Sequence, residues 1–257
     1  VARAQTLVSL LGALVVWLVL LGPLWALFAH LSAPVVASSL SQSGALAPLV
    51  VSVEASVLSL ALLVGLGGPL GYLLARRRLP FPWLWETGVL VMLLMPPLVV
   101  GLLLIFMVGP LTPIGRALSV VHLSATNTFL ALVIAELYES APYFVLLVQA
   151  AFTAVDPRLE QQAALLGERP RRYLRRVTLP LAAPGLATGL AIAWARAIGA
   201  FGAVIIVAYH PYGLPMQIWT TLDETGLASA LPFALVLLVV ALPLPLIAYA
   251  WSRHARR

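Results

Sequence analysis

The residues of this chain that could do chemistry are few, and most of them interrupt apolar runs. Arg196 sits in AIAWARAIGAFGAVIIVA, and Glu136 and Glu139 sit in FLALVIAELYESAPYFVLLV. An arginine within a membrane-length apolar run is costly, and is normally paired or turned to a water-filled cavity. Two readings follow. Arg196 pairs with Glu136 or Glu139, or it stands beside an anion route; pairing is the simpler. Glu54 reads as an interfacial or packed carboxyl. The histidines at 30, 122, 210 and 254 are scattered, so no metal cluster is expected. All 15 basic residues are arginine and Lys is absent, which removes the P-loop lysine and any Schiff-base lysine. Cys is absent too, which excludes disulfides and thiolate metal sites. With no nucleophile–base constellation, the expectation is a chain that is not an enzyme, has no catalytic residue and holds no metal or cofactor.

The elements that must position these groups are membrane helices. The chain has 257 residues, of which 62% are hydrophobic and 9% charged, with a mean hydropathy of +1.03. Soluble domains carry about 25% charged residues. A spanning helix needs roughly 20 apolar residues, and six candidates fit: about 6–30, 49–75, 87–109, 126–152, 181–208 and 229–251. The first is longer than the ~7–15 residues of a signal-peptide core and reads as a retained helix. The organisation expected is residues 1–48 (first helix and outer loop), 49–251 (transmembrane core) and 252–257 (tail).

Six spans place thirteen arginines on one side: Arg3, Arg76, Arg77, Arg78, Arg158, Arg169, Arg171, Arg172, Arg175, Arg176, Arg253, Arg256 and Arg257. The opposite loops hold only Arg116. Both termini are therefore expected in the cytoplasm. Outer loops 32–48, 110–125 and 209–228 are too small to capture a solute, and the last carries Asp223 and Glu224. Proline interrupts two spans, at MPP (95–97) and at Pro232, Pro243 and Pro245. Broken backbone at membrane depth is tolerated against protein or a water-filled cavity, which favours a transport path over a simple anchor. Gly185, Gly189, Ala193 and Ala197 repeat every fourth residue and allow close helix approach, within the subunit or across a dimer.

The densest charge lies in LEQQAALLGERPRRYLRRVTLP (159–180). Residues 158–166 suit a short helix, with Leu159, Ala163 and Leu166 on one face. Gly167 fits the left-handed position that ends a helix, and Pro170 the first position of the next. Tyr173, Val177 and Leu181 would line a stripe on that second helix. The result is a helix–Gly–turn–helix on the cytoplasmic face, running into the fifth span.

This segment resembles the cytoplasmic EAA loop of ABC importer permeases: Glu-Ala-Ala, three residues, Gly, nine residues, an aliphatic residue, any residue, Leu-Pro. Gly167, Val177, Leu179 and Pro180 match in register. Ala163 matches as well, but Gln161 and Gln162 stand where the family shows Glu-Ala, with Glu160 one place early. The resemblance implies an all-α membrane protein with six transmembrane helices, the transmembrane subunit of a type I ABC transporter. It implies that two separate ATP-binding cassette subunits, using ATP and Mg, dock on 158–180, with Leu159, Glu160 and Arg171 in the coupling surface. It also implies an external (periplasmic or extracellular) substrate-binding protein, a second copy of the chain as a homodimer partner, and residence in a prokaryotic cytoplasmic (inner) membrane. Nucleic acid is not expected as a partner.

Residues 194–232 resemble the molybdate/tungstate and sulfate permease group, through the run Ala-Arg-aliphatic-aliphatic-x-x-Phe-Gly-Ala. The resemblance extends over roughly 50–250 and implies an oxyanion substrate, molybdate or tungstate ahead of sulfate or thiosulfate. Arg196, Gly199, Phe201 and Gly202 are its candidate pathway residues. Asp223 and Glu224 at the outer mouth would repel an anion, which favours delivery by a binding protein. An ion-coupled secondary transporter with Glu136, Glu139 and Arg196 as a relay, and a structural or assembly membrane protein, are the competing readings.

Overall fold

A computed structural model describes residues 2–41 and 45–255; Arg256 and Arg257, counted above among the cytoplasmic arginines, lie outside the described residues. Its centre is a parallel pair, α3 (Ala47–Ala75) and α7 (Phe129–Thr153). Ser59 Oγ donates to the Val133 carbonyl at 3.0 Å, and Arg76 Nη1 donates to the Phe152 carbonyl at 2.9 Å. These two links, 17 and 19 residues apart along their strands of sequence, fix the parallel register. Glycine permits the approach. A Cβ at Gly71 would lie 2.6 Å from Val148 Cγ1, and one at Gly67 would lie 3.1 Å from Phe144 Cδ1.

A parallel pair requires the intervening chain to cross back. That crossing is broken. α4 (Pro82–Leu94) and α5 (Pro97–Val108) meet at 116°, where a single span over 87–109 was expected. The cause is Met95-Pro96-Pro97. A residue before proline is pushed off the helical region, and Met95 and Pro96 are extended with ψ of 130° and 133°. Among the described residues five helical segments are individually long and apolar enough to span, and six do so if the bent pair counts as one.

The fifth crossing is longer and less regular than expected. It begins at α9 (Pro170–Tyr173), passes through a π turn at Leu174–Thr178, and continues as α10 (Leu179–Ile198). Pro180 has no N–H for the carbonyl four residues back and its ring crowds it; widening of the helical ladder into a π turn just before it accommodates both. Helix then stops at Ile198. Residues 199–203 are non-helical, and α11 (Val204–Val207) follows. α10 runs antiparallel to α7: a Cβ at Gly185 would lie 2.6 Å from Ala151 Cβ, and one at Gly189 would lie 3.2 Å from Leu147 Cβ. The glycine stripe thus seats α10 on α7 within one chain.

The sixth crossing is α13 (Leu227–Ala241) and α14 (Pro243–Ala255), divided before Pro243; Pro232 stays within α13. Trp194 Nε1 donates to the Val240 carbonyl at 3.1 Å and ties α10 to it. The segment 252–257, read as a tail, is helical through Ala255. α1 (Ala2–His30) exposes leucine, valine and tryptophan around its circumference, Trp17 and Leu20 being 63% and 68% exposed. The outer loops are more ordered than their composition suggested. They carry α2 (Ala33–Ser41), α6 (Pro113–Val120) and α12 (Leu214–Thr225). α12 buries Met216 in the core with Ala55 and sets Trp219 against Phe201, ring centroids 5.7 Å apart.

The tight α3–α7 contact gives a direct test. Gly71→Leu should overpack that seam at a cost of about 1–3 kcal/mol, read as a lower thermal unfolding midpoint in detergent. Gly65→Leu, with open space around its Cβ position, should leave the midpoint unchanged.

Candidate functional site

At the cytoplasmic end the chain forms the expected elbow. Asp156 caps α8 (Pro157–Leu165) by accepting from the Arg158 N–H at 2.9 Å. Gly167 then adopts φ +83°. Its N–H bonds the Ala164 carbonyl and that of Glu168 bonds the Ala163 carbonyl, both at 3.0 Å. This is the Schellman arrangement that ends a helix on a left-handed residue. Pro170 opens the following helix, as expected.

The charged residues of the elbow do different things. Glu160 is turned inward, only 5% exposed. Its Oε1 accepts from Arg76 Nη2 at 2.6 Å, Arg76 Nε at 3.0 Å and Thr178 Oγ1 at 2.9 Å, and Oε2 accepts from Tyr72 at 3.2 Å. Arg76 spends its remaining nitrogen on the Phe152 and Val155 carbonyls at 2.9 and 3.2 Å. Burial alone would raise the Glu160 pKa, but hydrogen bonds from Arg76 and Thr178 with the Arg76 charge outweigh it and hold the carboxyl below its ordinary value. The stabilisation is therefore complete above the unfolded pKa of about 4.3 and is lost as pH falls through the lower folded value. Removing one partner of such a buried pair costs about 3–5 kcal/mol. By contrast, Glu168 bridges Arg172 at 3.1 Å and Arg176 at 3.4 Å on the exposed side, where ion pairs contribute about 0–1 kcal/mol.

The outward surface is uncharged at its centre. Gln161 and Gln162 are exposed, and Leu165 and Leu166 are 88% and 86% exposed. Leu159 is also on the surface and Ala163 half-buried, so the face of Leu159, Ala163 and Leu166 is turned largely outward. The inward residue of α8 is Glu160. On the second helix Tyr173 is buried and Val177 half-buried, while Leu181 is exposed; Arg171, Leu179 and Pro180 lie on the surface.

At mid-membrane a second carboxylate repairs the breaks. Glu139 Oε1 accepts the Ala203 N–H at 3.0 Å, a donor freed where the fifth span leaves helix. Its Oε2 lies 3.8 Å from Arg196 Nη2, and the Arg196 guanidinium lies 4.8 Å from the Tyr143 ring centroid. A Cβ at Gly202 would sit 2.4 Å from Pro97 Cβ, so only glycine lets the break at 199–203 cross the α4–α5 elbow. Arg196 thus meets Glu139, while Glu136 is held apart in the α3–α7 seam, 2% exposed. Phe201 and Gly202 are half-buried and Gly199 is exposed. Among the described residues no group of three or more His, Asp or Glu is placed to hold a metal.

Sequence reasoning missed Arg76, Thr178 and Tyr143. Arg76 belongs to a triplet that reads only as a positive-inside signal. Tyr143 carried a usable clue, since it follows Glu139 by four residues on one helix.

A multi-pass, all-helical chain with broken spans at mid-membrane and a surface elbow fused to one of them is built as a transport permease. Residues 67–257 match the family described as binding-protein-dependent transport system inner membrane component, and the chain belongs to it. It is thus a multi-pass inner-membrane protein whose family works with a substrate-binding protein and separate ATPase partners; permease subunits are not themselves enzymes. It is 40% identical over 199 residues to a probable molybdenum ABC transporter permease of Haloferax volcanii, covering 77% of this chain and 72% of that one. It is 36% identical to a molybdenum transport system permease of Mycobacterium tuberculosis (75% and 74% covered) and 33% identical to a molybdate/tungstate permease of Thermococcus kodakarensis (71% and 68%). The fold is that of a bacterial alginate ABC transporter solved with an alginate-bound periplasmic protein, with TM-score 0.70, 18% identity, and coverage of 98% and 96%.

The repair by Glu139 is testable. Glu139→Ala frees the buried Ala203 donor and removes the counter-charge of Arg196, and should cost about 1–3 kcal/mol in detergent unfolding. Glu139→Gln keeps an acceptor and should cost less than half as much. Equal midpoints for wild type and Glu139→Ala would remove the repair role.

Proposed function

We propose that this chain is the membrane subunit of an ATP-driven importer of molybdate or tungstate. The observation that carries the substrate is the 40% identity to the Haloferax volcanii molybdenum permease over most of both chains, joined by the mycobacterial and archaeal relatives. Two copies of the chain enclose the path, and an external binding protein delivers the oxyanion. Two ATPase subunits, which carry ATP and Mg, dock on the elbow at 158–180. The exposed pair Leu165 and Leu166, flanked by Gln161 and Gln162, supports docking there: apolar side chains this bare on a cytoplasmic loop gain by burial against a partner.

Chemistry suits the substrate class. Tetrahedral dianions can be held by backbone N–H groups without a fixed cation, and a pathway must bind weakly enough to release. Arg196 lies 3.8 Å from the Glu139 carboxylate and 4.8 Å from the Tyr143 ring centroid, which partly offset its charge, while 41% of its side chain is exposed. A sulfate reading stands second, favoured by 31% identity over 222 residues to a probable sulfate permease of Nephroselmis olivacea.

Cells expressing the complete transporter should accumulate molybdenum or tungsten by elemental mass spectrometry at submicromolar supply, unaffected by excess sulfate. Uptake of sulfate alone would reassign the substrate. Separately, Leu165→Asp with Leu166→Asp should weaken ATPase association at least about 100-fold, given what two buried leucines contribute, while membrane insertion is retained. Undiminished co-purification would move the docking surface elsewhere.

A further inference from the structure

We propose that Glu160 and Arg76 form the mechanical joint that makes the docking elbow and the transmembrane bundle move as one body. The proposal rests on the reading that ATPase subunits push on this elbow. The geometry is that of a four-way tie. Arg76 follows α3, Glu160 lies in α8, the Phe152 carbonyl is at the end of α7, and Thr178 closes the π turn that feeds α10. Every one of these elements is bonded to the Arg76–Glu160 pair at 2.6–3.2 Å. Side-chain exposure is 5% for Arg76 and 6% for Glu160, so water does not compete for the contacts.

The pair matters because, among the described residues, it is the buried ion pair that ties the elbow to the bundle; the buried Tyr173, in hydrogen-bond reach of Arg78, adds a second, uncharged hold. Its surface ion pairs run within the elbow, from Glu168 to Arg172 and Arg176, and do not reach the bundle. Leu165 and Leu166 point away from the bundle. The C-terminal end of α8 is the left-handed Gly167, where the backbone has a freedom that other residues lack. The π turn at Leu174–Thr178 is a further irregularity in the helix that receives the push, of a kind frequent at functional sites. Without Glu160, a displacement of α8 would be absorbed at Gly167 and in the π turn. With it, the same displacement is delivered to α3, α7 and α10 together. Glu160 and Arg76 are therefore positioning residues, and neither touches the substrate or the nucleotide.

The guanidinium is not replaceable by charge alone. Lysine cannot bind two carbonyls and a carboxylate from one planar fork. Exchanging the two residues would set a carboxylate against the carbonyls that end α7, so a charge swap should not rescue.

The test uses the complete transporter, reconstituted in proteoliposomes with its ATPase subunits and binding protein, in wild-type form and as Glu160→Gln, Arg76→Lys and the double variant. Glu160→Gln is nearly isosteric and keeps an acceptor, which protects folding. The expected result is full co-purification of the ATPase and ATP hydrolysis within about twofold of wild type, with oxyanion moved per ATP falling about tenfold, a coupling loss of ordinary allosteric size. The double variant should be no worse than the poorer single one, because the two residues act as a unit. Amide exchange in 157–168 should rise at least tenfold in Glu160→Gln while the spans stay protected.

An unchanged transport-to-ATP ratio overturns the proposal. So does a parallel loss of transport, hydrolysis and assembly, which would mark the pair as scaffold only. So does unchanged amide exchange in the elbow. If the wild-type complex moves neither molybdate nor tungstate, the substrate reading fails, and the exchange measurement still decides the joint.

Discussion

The Arg76 guanidinium is the contact on which the cytoplasmic half of this protein depends. α3 and α7 end and α8 begins within its reach, and it bonds groups on α7, on the turn after it and on α8 at once. Nη1 bonds the Val155 carbonyl and adds a second hydrogen bond to the Phe152 carbonyl, which also accepts the Val155 N–H, while Nε and Nη2 bond the carboxylate of α8. An arginine does this because its planar fork presents donors in several directions at once. The parallel pairing of α3 and α7 is what brings their ends together. That pairing is itself set by Gly67 and Gly71, which let the two helices touch.

The membrane half follows the same rule with the signs reversed. Lipid offers no hydrogen bonds, so each interruption of a span must be repaired by protein. Two interruptions occur side by side, at Met95–Pro97 and at 199–203, and Pro97 packs directly on Gly202. Glu139 supplies the acceptor for the exposed donor at Ala203 and draws in Arg196. Glu139, which looks like part of a proton relay in the sequence, is thus engaged in holding broken backbone together, with Arg196 beside it as its counter-charge. That reduces the case for an ion-coupled mechanism built on them.

Much of this was legible in the sequence. The arginine distribution alone orders the crossings, and Gly167 with Pro170 gives the elbow, confirmed by φ +83° and by the helix that starts at Pro170. What could not be read was the third dimension of the breaks. MPP announces an interruption, but a 116° bend depends on what the second half packs against. Residues 199–203 contain no proline, and the glycine at 202 is required by Pro97, a partner about a hundred residues away in the chain. The outer helices α2, α6 and α12 were also missed, since they are short; α12 is held by core contacts of Met216, whereas α6 carried a local signal in its Thr112–Pro113 cap. Glu160 was misjudged for a related reason. Charge predicts exposure unless a partner is known, and its partner lies 84 residues earlier in the chain.

The placement of Glu160 changes what the two glutamines mean. A docking surface read from charge would centre on Glu160 and the arginines. The structure puts the acid inside and leaves Gln161, Gln162, Leu165 and Leu166 outside. A neutral surface loses nothing to desolvation of a fixed charge when it is covered, and amide side chains can satisfy either donors or acceptors on the partner. One carboxylate is then enough for the elbow, provided it faces the bundle. On the proposed docking, a second carboxylate at position 161 would face the partner, and Gln there would shift the balance from electrostatic pairing toward apolar burial by the two leucines.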